Sequence, residues 1–508
     1  MQIYDDNDLS TFDKHISKME DELRKREYTL LEPTFDKVVQ MVSIVLDFIK
    51  INKRKIYGGY AQNKIIMFKD RNDAFYKDDD LPDIDFYSPE PIQDAMKLAN
   101  IFMEKGYERV EAREAEHKET YKVFVDYINV ADISYVPKNI YHRIPFVTMD
   151  EINYAGPSFL LIDMYRIITD PLTSGTHRWR KIFPRIFLLD KHYPMKDMKG
   201  IISNVNKNIP EEIMARLKMF SITIMNFLKN RESVIVLGDY AYNYFMDYSQ
   251  INKSKDGHKF YKFIDNVFFE IISTNYVEDT TEIFNTLKKN YPELSGDFTL
   301  VEFYPFWMLL GYSNIIYYKN IPILHTYYYN KRCIPIRKVE FKLFDGDKAI
   351  TEKSTIQLGA YDLNILYNLI VSLRYRTLKD DMNMNHRLLI ISNFRRMRNY
   401  YFKKNKKNMF DNTLFQEFIL DCVGNTVGSS RNARLEKEKK AKQGKLIIWN
   451  YRPEREGIKE PISKFKFQNT SGNNIRNPHN FKILPKNTSI DNNLGDEEND
   501  DEFDEETD

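Results

Sequence analysis

IYGGYAQN at residues 56–63 and DIDFYS at residues 83–88 decide the fold that the sequence predicts. An apolar strand leads into a Gly58-Gly59 turn and a helix, and a second strand follows with Asp83 and Asp85. Successive side chains of a strand point to opposite faces, so the two aspartates are predicted to share one face. Strands mixed with helices around a glycine turn predict an α/β or α+β module.

A third carboxylate, Asp132, lies in the apolar run NVADISYV on a later strand. Carboxylates grouped in this way suit a pair of Mg²⁺ (or Mn²⁺) ions roughly 4 Å apart. The Gly58-Gly59 turn exposes backbone N–H groups at a helix amino terminus, which is suited to cradle a triphosphate. A glycine pair alone is usually only a turn, and a D-x-D alone is often a solvated edge. The order of the glycine pair, the D-x-D segment and Asp132, together with the apolar strands around the acids, indicates nucleotidyl transfer.

The order strand, Gly-Gly, helix, D-x-D and third Asp resembles the DNA polymerase β-like nucleotidyltransferase superfamily. More narrowly, YGGYAQNKI, DIDFYSP, VADISYVP and FLLIDMYRIITDP with RWRKIF resemble the poly(A) polymerase catalytic subunit of large nucleocytoplasmic DNA viruses, of the poxvirus and giant-virus type. The resemblance implies that Asp83, Asp85 and Asp132 bind the catalytic metals. It also implies that Gly58 and Gly59 hold the triphosphate of ATP.

An internal repeat is indicated by VLGDYAYN at residues 236–243, which resembles IYGGYAQN at a shift of 180 residues. A looser pair, DFYS and EIIS, has a shift of 185 residues. Either the fold is duplicated or two short strand–turn–helix units are similar by chance. In a duplicated fold, Asp239 replaces Gly59, Phe268 replaces Asp83 and Glu270 stands opposite Asp85. The second copy is then expected to be catalytically silent.

Basic residues form two candidate sites. Arg178 and Lys181 fall on one helical face and could neutralise triphosphate charge. Basic and aromatic residues also alternate near residue 400, in a mixture that suits single-stranded RNA. The RNA candidates are Arg395, Arg396, Arg398, Lys403 and Lys404. For both groups, a solvated basic surface is the alternative interpretation.

The net charge of +1 combines regions of opposite charge. Residues 371–486 contain 26 Lys and Arg against 10 Asp and Glu, a local charge of +16, whereas residues 496–508 contain ten acids and no base. The first region has the charge expected of an RNA-binding surface, and the second is predicted to be a disordered tail. The near-neutral total therefore does not exclude a nucleic-acid partner.

The sequence predicts five regions. They are an N-terminal helical region (1–52), a catalytic nucleotidyltransferase domain (53–200), a degenerate nucleotidyltransferase-like domain (201–370), a basic region (371–486) and an acidic tail (487–508). Two cysteines argue against a disulfide scaffold and favour a reducing compartment. No segment is apolar enough to predict a membrane span.

The function predicted by the resemblance is template-independent adenylyl transfer from ATP to the 3′ ends of mRNA. Uridylyl transfer, tRNA end addition and a non-catalytic RNA-binding processivity subunit are the alternatives. Relatives of the resembled family imply either a homodimer or a separate methyltransferase-like processivity subunit as partner. The expected location is the host cytoplasm (viral factory) or the virion.

Overall fold

The computed structural model describes residues 5–30, 34–76, 80, 83–115, 119–172, 175–198, 200, 209–255, 257, 261–264, 268–307, 310–328, 333–345, 348–424, 430–445, 448–458 and 482–483. The helices are α1 (Asp6–Leu30), α2 (Phe35–Ile51), α3 (Gly58–Lys69), α4 (Pro91–Glu104), α5 (Lys138–Tyr141), α6 (Pro157–Ile168), α7 (Gly175–His192), α8 (Glu211–Leu228), α9 (Gly238–Ser249), α10 (Tyr276–Asn290), α11 (Tyr361–Leu378), α12 (Asp381–Asn405), α13 (Ser430–Lys442) and α14 (Pro453–Glu456). The strands are β1 (Lys55–Tyr57), β2 (Ile84–Ser88), β3 (Glu111–Glu114), β4 (Thr120–Val125), β5 (Ile128–Tyr135), β6 (Phe146–Met149), β7 (Ile152–Ala155), β8 (Val234–Leu237), β9 (Phe269–Ser273), β10 (Phe298–Phe303), β11 (Ser313–Tyr318), β12 (Ile321–Tyr328), β13 (Ile334–Asp345), β14 (Lys348–Gly359), β15 (Cys422–Val423), β16 (Asn450–Tyr451) and β17 (Lys482–Ile483).

Contacts within the chain define two compact units. The first unit contains Met1–Val136, Phe146–Gly156 and Ser430–Phe467, and the second contains Pro137–Pro145, Pro157–Ser429 and Gln468–Asp508. These units do not coincide with the five ranges drawn from sequence composition, which stay predictions. The acidic tail lies outside the described residues. Among the described helices, none combines the length and the apolarity needed to cross a bilayer.

The first unit is built on an eight-stranded mixed sheet in the order β16-β3-β4-β5-β2-β1-β7-β6. Met41 and Val45 of α2 are buried, and Phe48 of this helix packs on Phe86 of β2 with ring centroids 6.1 Å apart. Because side chains alternate along a strand, Asp85 points to the face opposite Phe86. The apolar core therefore lies on one side of β2 and the candidate carboxylate on the other.

The second unit repeats this sheet. Its order, read from β17, is β17-β10-β11-β12-β9-β8-β14-β13-β15; the first eight of these nine strands match the eight strands of the first sheet in order, and β15 is an additional strand at the edge. β2 and β9 run parallel to β5 and β12, while β1 and β8 run antiparallel to β2 and β9. The duplicated fold suggested by the two short sequence similarities is thus confirmed, and chance similarity is excluded.

Buried hydrogen bonds recur at equivalent positions in both units. Ser88 Oγ donates to Asp94 Oδ2 at 2.5 Å, and Ser273 Oγ donates to Asp279 Oδ2 at 2.6 Å. In each case the serine ends a central strand and the aspartate lies in the first turn of the following helix. Because the polar groups of both pairs are buried and hydrogen-bonded, each pair holds the first turn of the helix close to the end of the strand.

The two cysteines are joined by a disulfide, which the sequence did not predict. Cys333 and Cys422 are 89 residues apart in the chain, and their Cα atoms lie 5.3 Å apart. Antiparallel pairing of β13 with β15 brings the two segments together. The small number of cysteines argued against a disulfide scaffold, and this single bond could not be predicted because the contact depends on the tertiary fold.

The buried carboxyl group of Asp362, in the first turn of α11, should make the free energy of unfolding depend on pH. Burial, together with the nearby Glu417 carboxylate, raises the pKa of Asp362 to about 7. Between about pH 4 and 7 the unfolded chain releases this proton while the folded chain keeps it, so the residue lowers stability as the pH rises through that range. Asp362→Asn should therefore be more stable than the parent by about 2 kcal/mol at pH 8, with little difference at pH 4.5. Urea unfolding at both pH values checks this, and an equal gain at both would contradict it.

Candidate active site

The turn between β1 and α3 requires glycine at its first position. Gly58 has φ +69°, and a Cβ built on it would lie 3.0 Å from Cγ of Asp85 and overlap its Oδ2 atom. The preceding residue, Tyr57, is extended and its side chain does not cap the helix. The first N–H groups of a helix have no intrahelical partner, and at the start of α3 these donors lie next to Asp85.

Two of the three predicted carboxylates lie side by side. Asp85 on β2 is directly paired in register with Asp132 on the parallel strand β5. Both residues are partly buried, whereas Asp83, one residue before β2, is exposed. Neighbouring strands lie about 4.8 Å apart, so the side chains of Asp85 and Asp132 leave the sheet close together. This side of the first sheet is called the carboxylate face below.

A lysine that the sequence reasoning missed contacts the third aspartate. Lys122 on β4 donates to both carboxylate oxygens of Asp132, at 2.8 and 2.6 Å. Asn129 Nδ2 donates to Asp132 Oδ1 at 2.7 Å. Lys122 is the register partner of Asp132, so a strand alignment could have identified it. Within the described ranges, no three His, Cys, Asp or Glu side chains are gathered as metal ligands, and Asp132 is turned toward Lys122 instead.

Aromatic and hydroxyl side chains support the carboxylate face. The ring of Tyr57 stacks on that of Tyr87 with centroids 3.9 Å apart. The hydroxyl groups of Tyr57 and Ser134 are hydrogen-bonded at 2.8 Å, and those of Thr120 and Ser134 at 3.0 Å. Ser134 lies two residues after Asp132, on the same face of β5. These contacts link β1, which leads into Gly58, with the strands that carry Asp85 and Asp132.

The corresponding face of the second unit has different chemistry. Gly238 repeats the turn, with φ +63° and a Cβ position that would lie 2.8 Å from Cδ of Glu270. Register pairing places His325 beside Glu270, at the position of Asp132. Phe268 and Asp239 stand where the sequence comparison predicted them. His325 was not predicted, because β12 has no local similarity to β5.

Arg178 and Lys181 are both exposed on α7, in the second unit. The helix continues through Pro184, and Arg185, one turn further along than Lys181, is buried. The triphosphate role of Arg178 and Lys181 stays a prediction.

The predicted RNA-binding arginines on α12 all contact carboxylates. Their partners are Asp190 for Arg395, Asp197 for Arg396 and Glu417 for Arg398. Lys403 and Lys404 lie in the last turn of the helix and are exposed. Sequence alone could not separate the paired arginines from the exposed lysines, because the carboxylates come from distant segments.

Comparison with known proteins decides the family. A model of the poly(A) polymerase catalytic subunit matches residues 43–174. A model of the C-terminal part of this subunit from the mimivirus APMV matches residues 189–484. A protein of Acanthamoeba polyphaga mimivirus assigned as the same subunit is 33% identical over 491 residues, covering 92% of this chain and 82% of that protein. The chain belongs to the viral poly(A) polymerase catalytic subunit family.

Structural similarity extends over the whole poly(A) polymerase chain. The crystal structure of the Megavirus polyadenylate synthase matches with a TM-score of 0.82 and 30% identity, covering 97% of this chain and 96% of that one. A relative assigned as the same subunit in African swine fever virus, isolate Tick/Malawi/Lil 20-1/1983, is 30% identical over 192 residues, 37% of this chain and 39% of that protein. The chain is accordingly a polynucleotide adenylyltransferase with a nucleotidyltransferase fold, and its substrates are ATP and RNA.

Proposed function

We propose that poly(A) addition takes place at the carboxylate face of the first unit. There the 3′ hydroxyl of RNA attacks the α-phosphate of ATP, and pyrophosphate leaves. The observation that carries this proposal is the register pairing of Asp85 with Asp132 beside the Gly58 turn. No equivalent pair of carboxylates exists in the described part of the second sheet, where His325 faces Glu270.

The donor set of the carboxylate face fits hard divalent cations. Asp83, Asp85 and Asp132 offer only carboxylate oxygens, which are the ligands preferred by Mg²⁺ and suitable for Mn²⁺. When bound, such ions would stabilise charge on the attacking and leaving oxygens. Asp132 has both oxygens engaged by Lys122, so a cation and the lysine would compete for this carboxylate or share it.

The residues of the chain supply positioning and charge compensation. The N–H groups at the start of α3, at Gly58 and Gly59, have no intrahelical partner and would bind the triphosphate oxygens. Asp132 would accept the proton of the RNA 3′ hydroxyl or hold the ion that lowers its pKa. The phosphate-binding role that the sequence predicts for Arg178 and Lys181 is kept as a proposal.

The nucleotide specificity is tested with purified protein, a short RNA, Mg²⁺ and each of the four nucleotides in turn. ATP alone should extend the RNA, in long tracts and without a template. Extension by UTP in preference to ATP would contradict the poly(A) assignment and favour uridylyl transfer. Addition of only a few C and A residues would instead indicate tRNA end addition. Failure of every nucleotide would favour the non-catalytic RNA-binding role.

For the RNA path we propose the exposed end of α12. Lys403 and Lys404 are free to approach a phosphate backbone, and the Lys404 ammonium lies 5.6 Å from the ring centroid of Tyr400. The charges of Arg395, Arg396 and Arg398 are already compensated by carboxylates. Their contribution to RNA affinity should be smaller than that of the lysines.

Deletion of residues 496–508 should strengthen RNA binding at low salt. The deletion removes ten acidic side chains and no basic one, so it removes a competitor for the basic region. We expect an affinity gain of about 3-fold at 50 mM salt that shrinks at 200 mM salt, because screening weakens such competition. Fluorescence anisotropy with a labelled oligo(A) measures it, and a neutral Gly-Ser tail of equal length is the control. Unchanged affinity at both salt concentrations would contradict the competition.

The remaining expectations are kept as proposals. They are a homodimer or a methyltransferase-like processivity subunit as partner, and the host cytoplasm (viral factory) or the virion as location. Size-exclusion chromatography with light scattering distinguishes a homodimer from a monomer that needs another subunit.

A further inference from the structure

The second unit contains a buried ion pair at the position that corresponds to the proposed metal site. Arg387 of α12 donates to both oxygens of Glu270, from Nη1 at 2.8 Å and from Nη2 at 2.7 Å. The exposed fractions of the two side chains are 5% and 1%. Glu270 is the register equivalent of Asp85, since each faces the glycine of its own turn. In the second unit, therefore, the Arg387 guanidinium binds the Glu270 carboxylate at the position where, in the first unit, Asp85 is proposed to bind a divalent cation.

Neighbouring groups complete the hydrogen bonding of this pair. The hydroxyl of Tyr367 donates to Glu270 Oε1 at 2.6 Å, and Asn368 Oδ1 accepts from Arg387 Nη1 at 3.3 Å. Both residues belong to α11. A buried ion pair is tolerated only when its geometry is good and its remaining donors and acceptors are satisfied. Glu270 thus joins the sheet to α11 and α12 through one carboxylate.

A second acid, Asp239, interacts electrostatically with the same guanidinium. Asp239, in the position of Gly59, is buried, and burial raises its pKa while the charge of Arg387 opposes the rise. None of the other equivalent positions carries a carboxylate: Phe268 replaces Asp83, Ile315 replaces Lys122, and His325 replaces Asp132. His325 is buried, and its pKa is lowered by burial and by the charges of Arg374 and Arg387. The residues present do not fit a pair of hard divalent cations.

We infer that Arg387 takes, in the second unit, the place of the divalent cation of the first, so that the second unit is held together by an internal cation and binds no catalytic metal. The inference uses the proposed metal site at Asp85 as its reference. The described part of the second sheet has no carboxylates at the positions of Asp83 and Asp132 but keeps the buried carboxylate of Glu270, and Arg387 compensates its charge. The second sheet thereby serves as a scaffold for α11 and α12.

Thermal unfolding of the full chain tests the charge compensation. Arg387→Met leaves Glu270 and Asp239 buried without a cation, so the melting temperature should fall by about 10 °C. Glu270→Gln combined with Arg387→Met should recover at least half of that loss, because the unpaired negative charge of Glu270 is removed. Arg396→Met is the matched control on the same helix, with a more exposed partner, and should cost about 2 °C or less. A melting temperature of Arg387→Met equal to that of the parent, or a double variant no more stable than Arg387→Met, would overturn the inference.

A second test does not require Arg387→Met to fold. Electron paramagnetic resonance counts the Mn²⁺ ions bound per chain in the presence of a non-hydrolysable ATP analogue. Glu270→Gln should bind as many Mn²⁺ ions per chain as the parent. A loss of bound Mn²⁺ in Glu270→Gln would overturn the inference. Asp85→Asn should bind fewer ions, and failure of that result alone would count against the proposed active site instead.

Discussion

Asp85→Asn is expected to lower the rate of RNA extension by at least about 1,000-fold, which corresponds to about 4 kcal/mol of transition-state stabilisation. The substitution keeps the shape of the side chain but removes the negative charge that a divalent cation requires. Because Asp85 is only partly buried and lies on the carboxylate face rather than in the apolar core, the fold should be retained. Primer extension with ATP and Mg²⁺ under single-turnover conditions measures the effect.

Glu270→Gln is the matched control, because Glu270 holds the same register position in the second sheet. At 20 °C this variant should extend RNA at a rate within about 2-fold of the parent, although its melting temperature is lower. Both variants should bind oligo(A) with unchanged affinity. If Asp85→Asn remained active and Glu270→Gln did not, the assignment of catalysis to the first unit would be wrong.

Gly58→Ala is expected to reduce extension to below about 1% of the parent, since small displacements of catalytic groups cost about 100-fold. An added Cβ would overlap the Asp85 carboxylate and also sit on a residue with φ +69°. The carboxylate or the turn must then move, and both belong to the proposed site. The same extension assay gives the activity, and thermal unfolding gives the accompanying loss of stability.

Gly106→Ala is the control that separates the energetic cost of alanine at a positive φ from the overlap of an added Cβ with Asp85. Gly106 follows α4 with φ +85°, and no atom lies within 4 Å of an added Cβ. This variant should lose about 1 kcal/mol of stability and keep its activity. Equal losses of activity in Gly106→Ala and Gly58→Ala would mean that backbone strain, and not contact with Asp85, explains the effect.

The parts of the site that could be predicted from sequence are those encoded locally. The strand, the glycine turn and the D-x-D segment all lie between residues 55 and 88, and the predicted order of strand, turn, helix and second strand is the observed order of β1, α3 and β2. Asp132 was identified because a carboxylate is unusual within an apolar strand. The second copy was predicted from two short similarities, and the strand order of both sheets confirms it.

The contacts that the sequence did not predict are made by distant residues. Lys122 reaches Asp132 across an antiparallel pair, and Arg387 is 117 residues from Glu270. Arg398 looked like a surface arginine, but its partner Glu417 is largely buried. In each case the residue can be found in the sequence, but its contact partner is known only from the tertiary fold. Charge patterns alone therefore do not show which basic side chains are available to bind RNA.

Iron-directed cleavage tests most directly whether catalysis belongs to the first of the two duplicated sheets. Fe²⁺ in place of Mg²⁺, with ascorbate and hydrogen peroxide, cuts the backbone close to the bound ion, and mass spectrometry locates the cuts. We predict cuts next to β2 and β5, near Asp85 and Asp132, that disappear in Asp85→Asn and on addition of excess Mg²⁺. Cuts next to β9 and β12, near Glu270 and His325, would contradict the account.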